Sequence, residues 1–203
     1  KTAYPILTGL VGSEMCIRAR TLREQLQQRA DLIGQRPDFH TQEQYVLDKG
    51  VQMASTEPLT DEQYKYLRMI TGMIECLPKQ CFHNAQMMTL ADSYHETQRV
   101  KYHEGYVFTG IMPILHAWIT LDDKIVDVTL STDPESTQRF FDGESPQEDL
   151  MDRVLGVIPD EWEYIGVPME NRYVIDTMLE NMESRSLIDN WQDSWPLLRK
   201  SEG

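Results

Sequence analysis

The chain's 203 residues are enough for one domain with a full core, and 40% hydrophobic with 26% charged residues is the balance of a folded globular protein. Nineteen basic residues against 33 acidic ones give a net charge of −14 with no basic cluster to offset it, which argues against binding nucleic acid or an anionic membrane surface. No run approaches the roughly 18 apolar residues of a membrane span, and three cysteines (Cys16, Cys76, Cys81) suit a reducing compartment or a working thiol better than a disulfide scaffold.

At the start of the chain, residues 4–11 are apolar, but Pro5 and Gly9 interrupt them and no small-residue cleavage site follows, so a signal peptide is not expected. Residues 8–18 resemble the translated adapter read-through found at the ends of metagenomic gene models. Residues 1–18 are therefore expected to be an arm outside the fold, with Cys16 carrying no chemistry. A single domain is expected over 19–203, with its core at 60–130 and a C-terminal strand and helix within 160–195.

Residues 21–33 read as a helix, with Leu22, Leu26 and Ala30 at four-residue spacing and Gly34 as its stop. A second helix is predicted over 41–54, opened by a capping-box pattern at Thr41. A third starts at the N-cap Thr60 and runs to Pro78, with Tyr66, Ile70, Met73 and Leu77 as the core stripe and Leu67 and Ile74 beside it. A fourth, from Cys81 to about residue 91, puts Cys81 in its first turn with Ala85 and Met88 on the same side.

Three strands follow, at 102–109, 115–121 and 124–130, the last two joined by the Asp122-Asp123 turn. Setting Leu121 opposite Lys124 gathers Leu115, Ala117, Ile119, Leu121, Val126, Val128 and Leu130 on one apolar face. The other face carries His116, Trp118 and Thr120 beside Ile125, Asp127 and Thr129, with His116 and Asp127 diagonal neighbours within side-chain reach. Farther on, residues 131–146 read as a loop, 148–155 as a short helix, 162–167 as an edge strand and 170–183 as a last helix with Val174, Met178 and Met182 on one side. The aromatic tail at 187–195 should pack down, and 199–203 should fray.

A thiol at a helix start, an imidazole in one strand and a carboxylate in the next are the parts of a nucleophilic site. The helix N-terminus favours the anionic sulfur, the imidazole takes its proton, and the carboxylate fixes the tautomer and steadies the cation. Cys81, His116 and Asp127 supply these parts. The first N–H groups of the Cys81 helix make a natural oxyanion site, to which Gln80 could add a donor. Asn84 and Glu104 are candidates for supporting hydrogen bonds, and Trp118 for packing beside the site. His83, His95, His103 and Glu104 lack zinc-site spacing, and there is no CxxC, HExxH, P-loop or GxGxxG, so neither metal nor cofactor is expected.

Cys81 at a helix start, then His116-Ala117-Trp118, then Val126-Asp127-Val128-Thr129 resembles the transglutaminase-like branch of the papain-like cysteine enzymes, whose pattern is Cys, His-Ala-Trp, Asp-Pro-Thr. Val128 stands where that pattern has Pro. Together with Glu104-Gly105-Tyr106 and Tyr164-Ile165-Gly166-Val167, these motifs are also similar to those of small proteins common in phages and bacteria. The resemblance implies Cys81 as nucleophile, His116 as general base and Asp127 as orienting acid, on an α+β fold in which the Cys-bearing helix and N-terminal helices pack on a three- or four-stranded antiparallel sheet. The expected function is a cysteine hydrolase or acyl-transfer enzyme acting on the carbonyl of a protein, peptide or small amide. The alternative is a catalytically silent binding or phage structural protein. The expected setting is the cytoplasm, including that of an infected bacterium, or a virion; the oligomeric state is left open.

Overall fold

A computed structural model describes residues 21–34, 36–133, 150 and 152–200. The expectations for residues 1–18 and most of the loop after β4 lie outside these residues. Among the described residues, five helices and a six-stranded antiparallel sheet make this an α+β fold: α1 (Leu22–Ile33), α2 (Gln42–Lys49), β1 (Val51–Gln52), α3 (Asp61–Thr71), α4 (Cys81–Tyr94), β2 (Val100–Phe108), β3 (Pro113–Leu121), β4 (Lys124–Ser131), β5 (Arg153–Leu155), β6 (Glu163–Met169) and α5 (Asn171–Asn181). The strand order is β1-β6-β2-β3-β4-β5.

The β3–β4 hairpin has the register that its alternation predicts, with Leu121 opposite Lys124 and Ile119 opposite Val126. Asp122 and Asp123 both take positive φ, as a tight two-residue turn requires. One face of the sheet meets α3 and α4, where Leu67, Ile70, Ala85 and Met88 pack against Tyr102, Ala117, Ile119 and Val126. Farther along the same face, Leu22 and Leu26 of α1 and Val46 of α2 cover Tyr106, Ile165 and Val167.

The opposite face is turned inward on itself. Met53 N–H donates to Tyr164 O at 2.9 Å beside β6, yet Thr56 N–H already donates to Gly156 O at 2.8 Å just past β5. Three residues plus one interstrand spacing reach about 16 Å, whereas a flat six-stranded sheet would separate its outer strands by about 24 Å. The sheet is therefore curled, and residues 53–56 form a strap between its two rims. Val107, Trp118, Ile125, Val154, Ile158 and Tyr164 fill the enclosed space.

Several expectations need correction. The sheet has six strands rather than three or four. The 162–167 strand is not an edge: as β6 it lies between β1 and β2, because its residues pair on both sides. Residues 153–155 form β5 where a short helix is predicted. The second helix stops at Lys49, and Val51 and Gln52 pair with β6 instead. The third ends at Thr71, and its buried face is Gln63, Leu67 and Ile70, while Met73 is 51% exposed. In α5, Val174 and Met178 are buried, but Met182 is a left-handed cap and lies exposed. Of the tail, Leu187 and Ile188 pack down and Trp191 does not. Arg199 and Lys200 do not fray: Arg199 bridges to Phe39, and Lys200 N–H donates to Asp38 O.

Candidate active site

The β3–β4 ladder ends at Ile119–Val126, although β3 stays paired with β2 as far as Pro113 and the β4–β5 pairing shifts register between Asp127 and Ser131. Past that point the two strands are no longer paired to each other, and the first turn of α4 meets β4 there. Asn84 Nδ2 donates to Thr129 Oγ1 at 2.9 Å, and its amide also bonds both the N–H and the carbonyl of Leu77. One side chain thus ties the loop before α4, the helix itself and β4 together. This is how a helix packed on one face of the sheet brings Cys81 to a histidine on the other.

The sequence-predicted trio is brought together. Cys81 is 9% exposed, His116 3% and Asp127 1%. His116 Nε2 donates to Asp127 Oδ2 at 2.7 Å, which leaves Nδ1 as the ring's free nitrogen, and the Cys81 thiol lies close enough to act on the ring's charge. Burial opposes charge on this ring, but the Asp127 carboxylate, through both charge and hydrogen bond, and the neighbouring Cys81 outweigh it and push His116 up to about 10. Burial likewise opposes charge on Asp127, yet His116 and two backbone N–H groups hold its carboxyl below the usual range. Those donors are Thr129 N–H at 2.9 Å and Leu130 N–H at 3.2 Å, both to Oδ1.

Trp118 lies inside the curled sheet, stacked on His116 with ring centroids 6.2 Å apart and on His103 on its other side at 6.1 Å. Gly166 makes room for it: a Cβ there would sit 2.5 Å from the indole. His103 is buried, and burial first and Lys101 second push it down to about 4. Two imidazoles flanking one indole are thus held in opposite charge states.

The supporting residues part company. Asn84 sits beside the trio as a structural tie, with its amide committed to Leu77 and Thr129. Gln80 is the exposed N-cap of α4, and its side chain makes no capping bond. The first N–H groups of α4 have no intrahelical acceptor and point toward the sulfur's end of the helix. Glu104 bonds to the surroundings of the trio at one remove, through Tyr102, on whose phenol Cys81 also acts. Alternation puts Glu104 on the opposite face of the sheet from His116, where it accepts from Tyr102 O–H, Leu187 N–H, Ile188 N–H and Ser186 O–H. His83 is half-buried on α4 and His95 exposed past its end. Sequence reasoning passed over Tyr164, whose O–H donates to Asp127 Oδ2 at 3.1 Å. The available signals were its inward place in a strand and its place at the head of the Tyr164-Ile165-Gly166-Val167 motif.

No family model, curated protein or solved structure matches the chain.

Proposed function

We propose that the chain is a cysteine hydrolase or acyl-transfer enzyme that attacks an amide or thioester carbonyl through Cys81, His116 and Asp127. The observation that carries this reading is the buried His116–Asp127 pair, bonded Nε2 to Oδ2 at 2.7 Å, with the buried Cys81 thiol beside the ring at the start of α4. In the reaction, His116 takes the thiol proton and the sulfur adds to the carbonyl carbon. The oxyanion lies against the free N–H groups of the α4 first turn. Collapse of this intermediate breaks the bond to the leaving amine or thiol, which receives the proton from His116 and leaves an acyl-thioester. Water or an amine then attacks the thioester, giving its proton to His116 and returning the thiol. Asp127 stays ionised throughout and fixes the ring.

The substrate is accordingly a protein, a peptide or a small amide. The resemblance to transglutaminase-like enzymes supports the same roles for the same residues, and a cytoplasmic setting suits a thiol that must stay reduced. Among the described residues no helix is long and apolar enough to cross a membrane.

Iodoacetamide labelling near pH 6 tests the reading, with half-buried Cys76, whose thiol burial pushes up, as the internal reference. Cys81 should label stoichiometrically and at least about tenfold faster than Cys76, because an adjacent imidazolium favours the reactive thiolate. His116→Ala should abolish that advantage. Labelling of Cys81 no faster than Cys76 overturns the reading and assigns the chain to a silent binding or phage structural role.

A further inference from the structure

We propose that Tyr164 is a positioning residue for the His116–Asp127 pair, its phenol O–H setting how tightly the carboxylate holds the imidazolium. Three observations carry this, given the reading of Cys81, His116 and Asp127 as a working triad. First, the oxygen that Tyr164 uses is the one that His116 uses: Oδ2 accepts from the ring at 2.7 Å and from the phenol at 3.1 Å. Second, Asp127 does not need Tyr164 to stay in place, because Thr129 N–H and Leu130 N–H already fix Oδ1. The phenol therefore acts on the working oxygen of a carboxylate anchored by its other one. Third, packing alone does not require the hydroxyl. Tyr164 is fully buried, its ring set edge-on to Trp118 at 5.0 Å, and phenylalanine would fill the same space without burying a polar group.

The sign of the effect follows from the chemistry. A donor on Oδ2 stabilises the carboxylate charge and so weakens its pull on the ring proton. Without it the imidazole would hold that proton harder, and the base that must hand it to a leaving group would become a poorer acid. The titratable groups facing His116 are Asp127 from β4, Cys81 from α4 and Tyr164 from β6. His103, from β2, lies behind Trp118 and is held neutral by its burial and by Lys101.

The test follows the titration of the His116 ring by NMR in three proteins: the full chain, its Tyr164→Phe variant, and the full chain grown with fluorotyrosine, whose phenol is the stronger donor. Losing a donor to the ionised carboxylate should raise the midpoint in Tyr164→Phe by about half to one pH unit. The fluorotyrosine protein should shift it downward. Midpoints that do not move, or that move the same way in both, overturn the proposal. If Tyr164→Phe fails to fold, the fluorotyrosine protein alone decides by the same sign. Iodoacetamide labelling of Cys81 in the unmodified chain separates this result from the catalytic reading. Opposite shifts with a sluggish thiol keep the tuning and sink the enzyme; a fast thiol with unmoved midpoints does the reverse.

Discussion

Asp127 accepts four hydrogen bonds, two at each oxygen, and is itself 1% exposed. An amide cannot replace it, because one of its ends would point N–H groups at existing donors. Asp127→Asn should therefore cut Cys81 labelling at pH 6 by at least about tenfold through the wrong ring tautomer. It should also destabilise the protein by about 1–3 kcal/mol through buried donors left without acceptors, read as separate changes in labelling rate and in urea midpoint. Cys81, His116 and Asp127 could be read from the sequence because each breaks its local pattern: a thiol opening a helix, and an imidazole and a carboxylate on a strand face otherwise fit for burial. Tyr164 breaks nothing. An aromatic residue facing inward from a strand is ordinary, and its partner comes from a strand with β2 and β3 in between, a distance that no local periodicity encodes.

At the scale of elements, the hairpin register was legible because a one-residue slip would have turned its apolar residues outward. The strands that escaped notice, β1 and β5, have two and three residues, too few to show an alternation. Helix ends were misjudged where tertiary contacts outbid propensity, as where Val51 leaves α2 to pair with Gly166. Glu104 shows a different limit. Two of its four partners are backbone N–H groups more than eighty residues downstream, and main-chain groups leave no mark in a sequence. It clasps the segment after α5 onto β2 at a spot where burial raises its carboxyl despite four donors. Glu104→Gln would turn an amide N–H₂ toward two of those donors, so a loss of about 2–3 kcal/mol is expected. Hydrogen exchange should quicken first at residues 186–188.

For the whole molecule, the two histidines flanking Trp118 give opposite pH limbs. His103 is depressed by burial and Lys101 to about 4 from an ordinary 6.5, so its contribution is present above pH 6.5 and lost as pH falls toward 4. His116 is raised to about 10 because Asp127 and Cys81 outweigh burial, so its contribution is complete below pH 6.5 and lost as pH rises through 10. Each limb can slope by at most about 1.4 kcal/mol per pH unit. Denaturation midpoints should therefore fall in both directions from the neighbourhood of pH 6.5. In the difference against wild type, His103→Asn should flatten the acid limb alone and His116→Gln the alkaline limb alone. A parallel offset at every pH would mean that both rings merely fill space. The strap at residues 53–56 has its own consequence for behaviour in a crowded cell. A sheet sewn rim to rim, with outermost strands of two and three residues, offers a passing chain almost no row of vacant amides to zip onto. The protein should tolerate high concentration without growing into fibrils, and cutting the strap should remove that tolerance before it unfolds the core.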